Sequence, residues 1–368
     1  MRTIWADRFS RQLTDATFVL DVRRPALPVR QHRQAEPGDV PGCVLLLSRA
    51  ADAEAHAIEN LLVKIGITYA RIDADTADTH DMVVDLARGT IRLDGIWVKP
   101  TVTWVRHFSA QAITSAAGDV HKLFGQSSWR ALAEQLSAVS PFAIGVERPG
   151  TLKQLTAAMS LGINVPRTVI ASAARAGAEV GGFDRPLVKA IDEHFLETQP
   201  GLLTGVFPQL VDQAELQCSD GPAAPVIVQD YVDHDLELRV YFVLGEILAF
   251  AITKDAPDAP WTNPDQLDVR PVDAPGAVRL AATAMADALS FPYAAFDFLL
   301  SGQSVTFLEA SQSGDWLWIE RRIAGAPVTA AAVRMLSQLH HSAARVAGLP
   351  LPRLGVTSFL AGTSASRR

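Results

Sequence analysis

The chain has 368 residues, with 20% charged, 48% hydrophobic and a formal net charge of -7. That length exceeds one compact core and suits two or three packed lobes. The acidic balance excludes a general nucleic-acid binder, and the two cysteines, Cys43 and Cys218, are too far apart and too few for a zinc site. They read as small thiols in a reducing compartment.

The first stretch, Met1 to Val19, carries Arg2, Asp7, Arg8, Arg11 and Asp15, so it has no apolar signal-peptide core. The longest apolar runs, Ile247 to Ile252 and Phe291 to Leu300, fall short of the ~20 residues of a membrane helix. A cytoplasmic protein with no membrane partner is expected. Residues 1–40 mix the apolar run Thr17 to Val22 with several prolines and arginines, and read as an arm and an irregular connection.

Val44 to Leu47 reads as a buried strand, Ala53 to Gly66 as a helix and Tyr69 to Asp73 as the next strand. That order predicts a βαβ unit in a parallel, Rossmann-like sheet. Thr90 to Leu93 and Gly95 to Lys99 form a predicted hairpin, Thr103 to Phe108 another extended piece, and Ser127 to Ser137 a helix. The first lobe is expected to end near Pro141.

In the second lobe, Thr151 to Leu161 has helical spacing, with Leu152, Leu155, Ala158, Met159 and Leu161 as its apolar side and Gly162 closing it. Thr168 to Ala171, Leu187 to Lys189 and Gly205 to Pro208 follow, giving a small α+β unit. The strand Val226 to Val228 opens the third lobe, which continues through two hairpins and a long amphipathic helix, Val328 to Ala347. The expected division is thus 1–140, 141–228 and 229–368. The small polar tail from Gly362 is expected to be disordered.

Chemistry concentrates between residues 150 and 320. In Leu236 to Phe242, alternation puts Glu237, Arg239 and Tyr241 on one strand face and Leu238, Val240 and Phe242 on the other. The apolar return strand makes the polar face a cleft wall. Tyr293 to Leu300, Ser301-Gly302-Gln303-Ser304 and Val305 to Glu309 read as a hairpin with one acid embedded in each apolar strand. A loop of odd length brings Asp297 and Glu309 diagonally close on one face. Two such carboxylates suit Mg²⁺, an acid/base pair, or a structural acid paired with Arg239.

The succession Lys153, Gly162 to Thr168, Leu187-Val188-Lys189, Val228 to Val232, Glu237-Leu238-Arg239, Asp297 and Phe307 to Ser311 resembles the ATP-grasp superfamily. Asp268-Val269-Arg270 and Gly314 to Trp318 look more narrowly like the maturases that cross-link ribosomally made peptides, the microviridin-type or graspetide ligases. The resemblance covers roughly residues 140–325. It implies an ATP-grasp fold: a pre-grasp βαβ lobe, a small central α+β lobe, and a C-terminal lobe of antiparallel sheet and helix.

It also implies roles, with ATP and Mg²⁺ as cofactors. Lys153 and Lys189 would hold the nucleotide phosphates. Gln229, Asp230, Tyr231 and Val232 would form the hinge whose backbone pairs with the adenine edge, and Glu237 would accept from the ribose hydroxyls. Arg239, with Lys189, would serve catalysis by neutralising the acyl phosphate and the oxyanion. Asp297, Glu309 and Ser311 would face the metal, although the family usually has Asn where this chain has Ser311. The implied reaction activates a carboxylate for attack by an amine or hydroxyl, cyclising a precursor peptide with a leader and an acidic core. The leader would rest against the second lobe and Asp268–Arg270, and a homodimer is left open. The same core would serve a ligase adding a free amino acid to a peptide or small acid. Ser311 also leaves room for a nucleotide-binding peptide partner whose chemistry has lapsed.

Other residues read as structural. His340-His341 lacks a matching acid or cysteine, His194 is an ordinary histidine of the loop over the phosphates, and Arg321-Arg322 either opens a solvated helix or holds an acidic substrate segment. No P-loop signature occurs.

Overall fold

The protein is described from a computed structural model covering residues 19–21, 40–113, 119–191, 194–212, 224–254 and 267–351. Cys218, most of the arm 1–40 and the tail from Gly362 lie outside the described residues. Val19–Asp21 (β1) comes first and pairs far along the chain. Gly42–Ser48 (β2), Ala53–Lys64 (α1) and Tyr69–Asp73 (β3) then make the expected βαβ unit, β2 and β3 running parallel. Every residue of β2 is buried, which is why it reads as an unbroken apolar run.

Met82–Asp85 (β4), Thr90–Leu93 (β5) and Ile96–Val105 (β6) complete a sheet of order β3-β2-β6-β5-β4. β6 runs straight through Pro100, so the extended piece expected over Thr103 to Phe108 is the end of this strand as far as Val105. Asp119–Gln135 (α2) begins before the predicted Ser127. Phe142–Ile144 (β7), beyond residue 140, joins this sheet parallel to β6.

The central lobe holds Thr151–Ser160 (α3), Thr168–Ala171 (β8), Ala174–Gly181 (α4), Pro186–Lys189 (β9), Phe195–Gln199 (β10), Leu202–Gly205 (β11), Gln209–Leu210 (β12) and Val226–Asp230 (β13). Two expectations change here. Val226 to Val228 does not open the third lobe, because β13 lies between β9 and β8 in the central sheet. Gly205 ends β11, and the chain through Pro208 is a connection, since proline supplies no ladder N–H. β10 and β11 form a hairpin whose outer edge pairs with β1.

The last lobe is an antiparallel sheet of order β16-β15-β14-β17-β18, from Leu236–Val243 (β14), Glu246–Thr253 (β15), Asp268–Val272 (β16), Tyr293–Ser301 (β17) and Ser304–Ser311 (β18). Gly276–Ala288 (α5) covers one face with Leu238, Val240 and Phe242, and Pro327–Val346 (α7) covers the other. Leu317–Glu320 (α6) lies between β18 and α7. α7 packs with α1 and β2 as well, so the first and last lobes share one core. Among the described residues no helix is long and apolar enough to cross a membrane.

Candidate functional site

A cleft of about 1680 Å³ lies where the three lobes meet. Its floor is the polar face of β14, β17 and β18, placed by the alternation that buries Leu238 and Phe298 behind it. Asp297 stands directly opposite Glu309. The predicted odd loop is not what brings them together. Gly302 and Gln303 form a two-residue turn, with Ser301 opposite Ser304, and that turn alone would set Asp297 against Leu308. A bulge between residues 297 and 298 shifts the register by one, so that both acids face the cleft.

Arg239, on the neighbouring strand, is in register with Asp297, and its Nη1 donates to Oδ1 at 2.8 Å and Oδ2 at 2.6 Å. Burial and the Glu309 charge push the Asp297 carboxyl above its ordinary range, against the pull of Arg239. Glu309 goes the other way. Burial alone would raise it, but the His194 hydrogen bond and the His194, Lys189 and Arg239 charges hold it at about 2. Lys189 Nζ lies 3.9 Å from Glu309 Oε2, and the side chain is only 6% exposed. Ser311 shares the face of Glu309, and its Oγ accepts from Ser313 N at 3.3 Å.

Glu237 lies farther along β14. Lys254 Nζ approaches it to 2.6 Å and His234 Nε2 to 3.1 Å. Although burial opposes ionisation, these two contacts hold its carboxyl low. Gln229, Asp230, Tyr231 and Val232 line the cleft beside it. Their backbone is partly committed: Asp230 N donates to Arg167 O, Tyr231 N to Arg185 O, and Val232 O accepts from His234 Nδ1. The N–H groups of Asp230 and Tyr231 are therefore not the ones turned to the cleft.

Lys153 does not join this group. It is exposed on α3 and outside the cleft lining, whereas Thr151 and Gln154 of the same helix face inward. The apolar side expected for α3 is also revised, because Leu152 and Met159 are 63% and 57% exposed. Gln154 takes the buried position because its amide accepts from Ala310 N and donates to Ala310 O, pairing with the edge of β18 as a strand would.

His194 corrects another expectation. Rather than an ordinary loop residue, it reaches Glu309 Oε2 at 3.4 Å. Burial lowers its basicity, but the bond and charge of Glu309 outweigh this and leave its pKa raised. Lys254 and His234 were not anticipated either. The only sequence signal for Lys254 was a charge closing the apolar return strand β15.

Two acids and a hydroxyl on one cleft face could hold magnesium. Asp297, Glu309 and Ser311 offer hard oxygens, the kind Mg²⁺ takes, and Glu309 is held ionised. Among the described residues Arg239 Nε is buried without a hydrogen-bond partner, as suits a residue awaiting an anionic oxygen.

The chain matches no protein-family model and no curated protein sequence. Solved structures do resemble it. The macrocyclase MdnC of Microcystis aeruginosa, bound with precursor peptide MdnA, superposes with a TM-score of 0.68 at 17% identity, over 80% of this chain and 98% of that one. The ATP-grasp ligase PsnB, complexed with a phosphomimetic variant of its minimal precursor, Mg and ADP, gives 0.63 at 14%, over 81% and 100%. A Chryseobacterium gregarium RiPP-associated ATP-grasp ligase in complex with ADP and a leader and core peptide gives 0.63 at 15%, over 81% and 97%. This chain has the fold of the RiPP-associated ATP-grasp ligases.

Proposed function

We propose that this protein is an ATP-dependent ligase that joins a carboxylate to an amine or hydroxyl, forming ester or amide cross-links in a ribosomally made precursor peptide. The observation that carries the reading is the Asp297–Glu309 pair, brought onto one cleft face with Arg239 and Lys189 beside it. Structures of the same fold hold precursor peptides, and one holds ADP and Mg, which supports a peptide substrate and a nucleotide here.

Asp297, Glu309 and Ser311 would hold magnesium. ATP would supply the phosphoryl group that turns the substrate carboxylate into an acyl phosphate, with magnesium offsetting its charge. Lys189, fixed and nearly buried, is a point charge for phosphate oxygens. Arg239 keeps its Nε free for the oxygens that gain charge as the nucleophile attacks, while Asp297 fixes its plane. Glu237, ionised and held by Lys254 and His234, is an acceptor for the ribose hydroxyls. Gln229 to Val232 contribute the hinge against which the base lies. An enzyme spending ATP on newly made peptides belongs in the cytoplasm. We place the lobe boundaries near residues 145 and 231, so that β7 stays with the first sheet and β13 with the central one, with the leader resting near the exposed Asp268 and Arg270 of the edge strand β16.

The test is the intact mass of acidic peptides encoded beside this gene after incubation with the protein, ATP and Mg²⁺. ATP-dependent loss of water with ADP formation is expected. No mass change and no ADP, with peptides and with free amino acids as acceptors, would sink the ligase reading. Lys189→Ala and Glu309→Ala are each expected to lower turnover by roughly 10²–10³-fold, the scale of losing one preorganised charge contact.

A further inference from the structure

Arg49 sits just past the C-terminal end of β2, the place in a parallel sheet where ligands commonly bind. It lines the cleft and is 6% exposed. Its Nε donates to His107 O at 3.3 Å, which fixes the guanidinium plane, and its Nη2 donates to Glu197 Oε2 at 2.9 Å. Among the described residues its Nη1 is buried with no hydrogen-bond partner. A guanidinium matches a carboxylate best as a two-pronged fork, and here one prong is unused.

The carboxylate on the other prong belongs to the β10–β11 hairpin. The Glu197 side chain is 4% exposed, its Oε1 accepts from Gly201 N at 2.7 Å, and the hairpin register shifts between Glu197 and Gln199. The same segment puts His194 on Glu309, three residues earlier. Glu197 and His194 are thus no more than roughly 10 Å apart along the backbone, so Arg49 lies within one peptide segment's reach of Glu309.

The surroundings do not favour a polyanion. Arg106, which follows β6 beside β2, is matched by Asp52 at 2.8 Å and Asp315 at 3.0 Å. Without Glu197, the two arginines and these two aspartates sum to zero, so a phosphate would meet no net positive charge there. A carboxylate, by contrast, already sits on Arg49 Nη2.

We propose that Arg49 is a carboxylate-binding subsite for an acidic side chain of the peptide substrate, and that Glu197 occupies it as an internal stand-in. The substrate assignment rests on the ligase reading; the site itself does not. Substrate entry exchanges one carboxylate for another, and the incoming one gains both prongs. Arg49 and Glu197 therefore set the preference for acidic peptides.

The test is ligand-observed NMR on the full chain without nucleotide, using N-acetylglutamate α-amide and N-acetylglutamine α-amide as probes. The glutamate compound should bind and the glutamine compound should not. Glu197→Ala should tighten glutamate binding at least fivefold, whereas a purely structural ion pair would leave it unchanged or weaken it. Arg49→Gln should abolish the discrimination and Arg49→Lys should retain part of it, with unchanged thermal unfolding showing that both variants are folded. Equal binding of the two compounds, or no gain in Glu197→Ala, would overturn the proposal. So would Arg49→Gln losing a fluorescent ATP analogue while still binding the glutamate compound. Failure to form ADP with any peptide would instead count against the ligase reading, leaving the binding result intact.

Discussion

Gly314 leaves the space that the Arg239 guanidinium needs while Asp297 holds it. A Cβ built there would lie 2.4 Å from Ala295 Cβ and 3.1 Å from Arg239 Nη2. Ala295 is fully buried in β17 and cannot retreat, so the loop after β18 must shift or the Arg239 guanidinium must give way on its Asp297 pair. Gly314→Ala is expected to cost about 1–3 kcal/mol in stability and at least tenfold in turnover, read by thermal unfolding and by ADP release. Unchanged turnover would mean that Arg239 is not held by this contact. This constraint is invisible in the sequence, where Gly314 is one member of a motif. Glu237 and Arg239 were legible because period-two alternation forces a face. The partners that tune Glu309 and Glu237 were not, since His194 and Lys254 arrive from other segments through tertiary packing.

At the scale of elements, apolar runs bounded by turn residues were enough to find the parallel βαβ unit and both C-terminal hairpins. They did not give the β17–β18 register, because a bulge leaves no hydropathy signal. They placed α3 but not its whole buried side, where a glutamine takes an inward position by pairing with a strand edge. Helix α4 offers a test of how tightly the central lobe is packed. A Cβ at Gly177 would lie 2.8 Å from Val228 Cγ2 and 3.3 Å from Ala171 Cβ. Alanine gains about 1 kcal/mol in helix propensity over glycine, but Val228 is fully buried and its branched side chain has little freedom to turn. Overpacking at about 1–3 kcal/mol therefore wins. Gly177→Ala is expected to lower the denaturant midpoint; a rise would show that α4 can lift off β13 at little cost.

At the scale of the whole molecule, composition pointed to two or three lobes but not to which of them share a core. The first and last lobes are joined by charge as well as by apolar packing. Arg106 is sandwiched with its guanidinium 4.6 Å from the Trp316 ring and 5.2 Å from that of Trp104, while reaching Asp52 and Asp315. Glu54 of α1 accepts from Trp316 N and Leu317 N, capping α6 across the seam. The far end of the seam is closed by His340 of α7 against Thr101 of β6, 2.8 Å apart. Thr101 Oγ1 spends its one proton on Cys43 O, so His340 Nδ1 must carry the proton between them, and the ring is the neutral Nδ1–H form. Burial first, and the His341 charge second, lower the His340 pKa from 6.5 to about 4. The sign follows from proton counting. Between pH 6.5 and 4 the unfolded chain binds this proton and the folded chain does not, so stability falls as pH falls through that window. The loss amounts to about 3 kcal/mol once pH is below the folded value. His340→Gln is expected to be less stable than wild type at pH 7 and to lose less on acidification, so that the two unfolding-temperature curves converge toward pH 4. Parallel curves would place the acid sensitivity of the seam in another group, and the neutral histidine between α7 and β6 would then have no part in it.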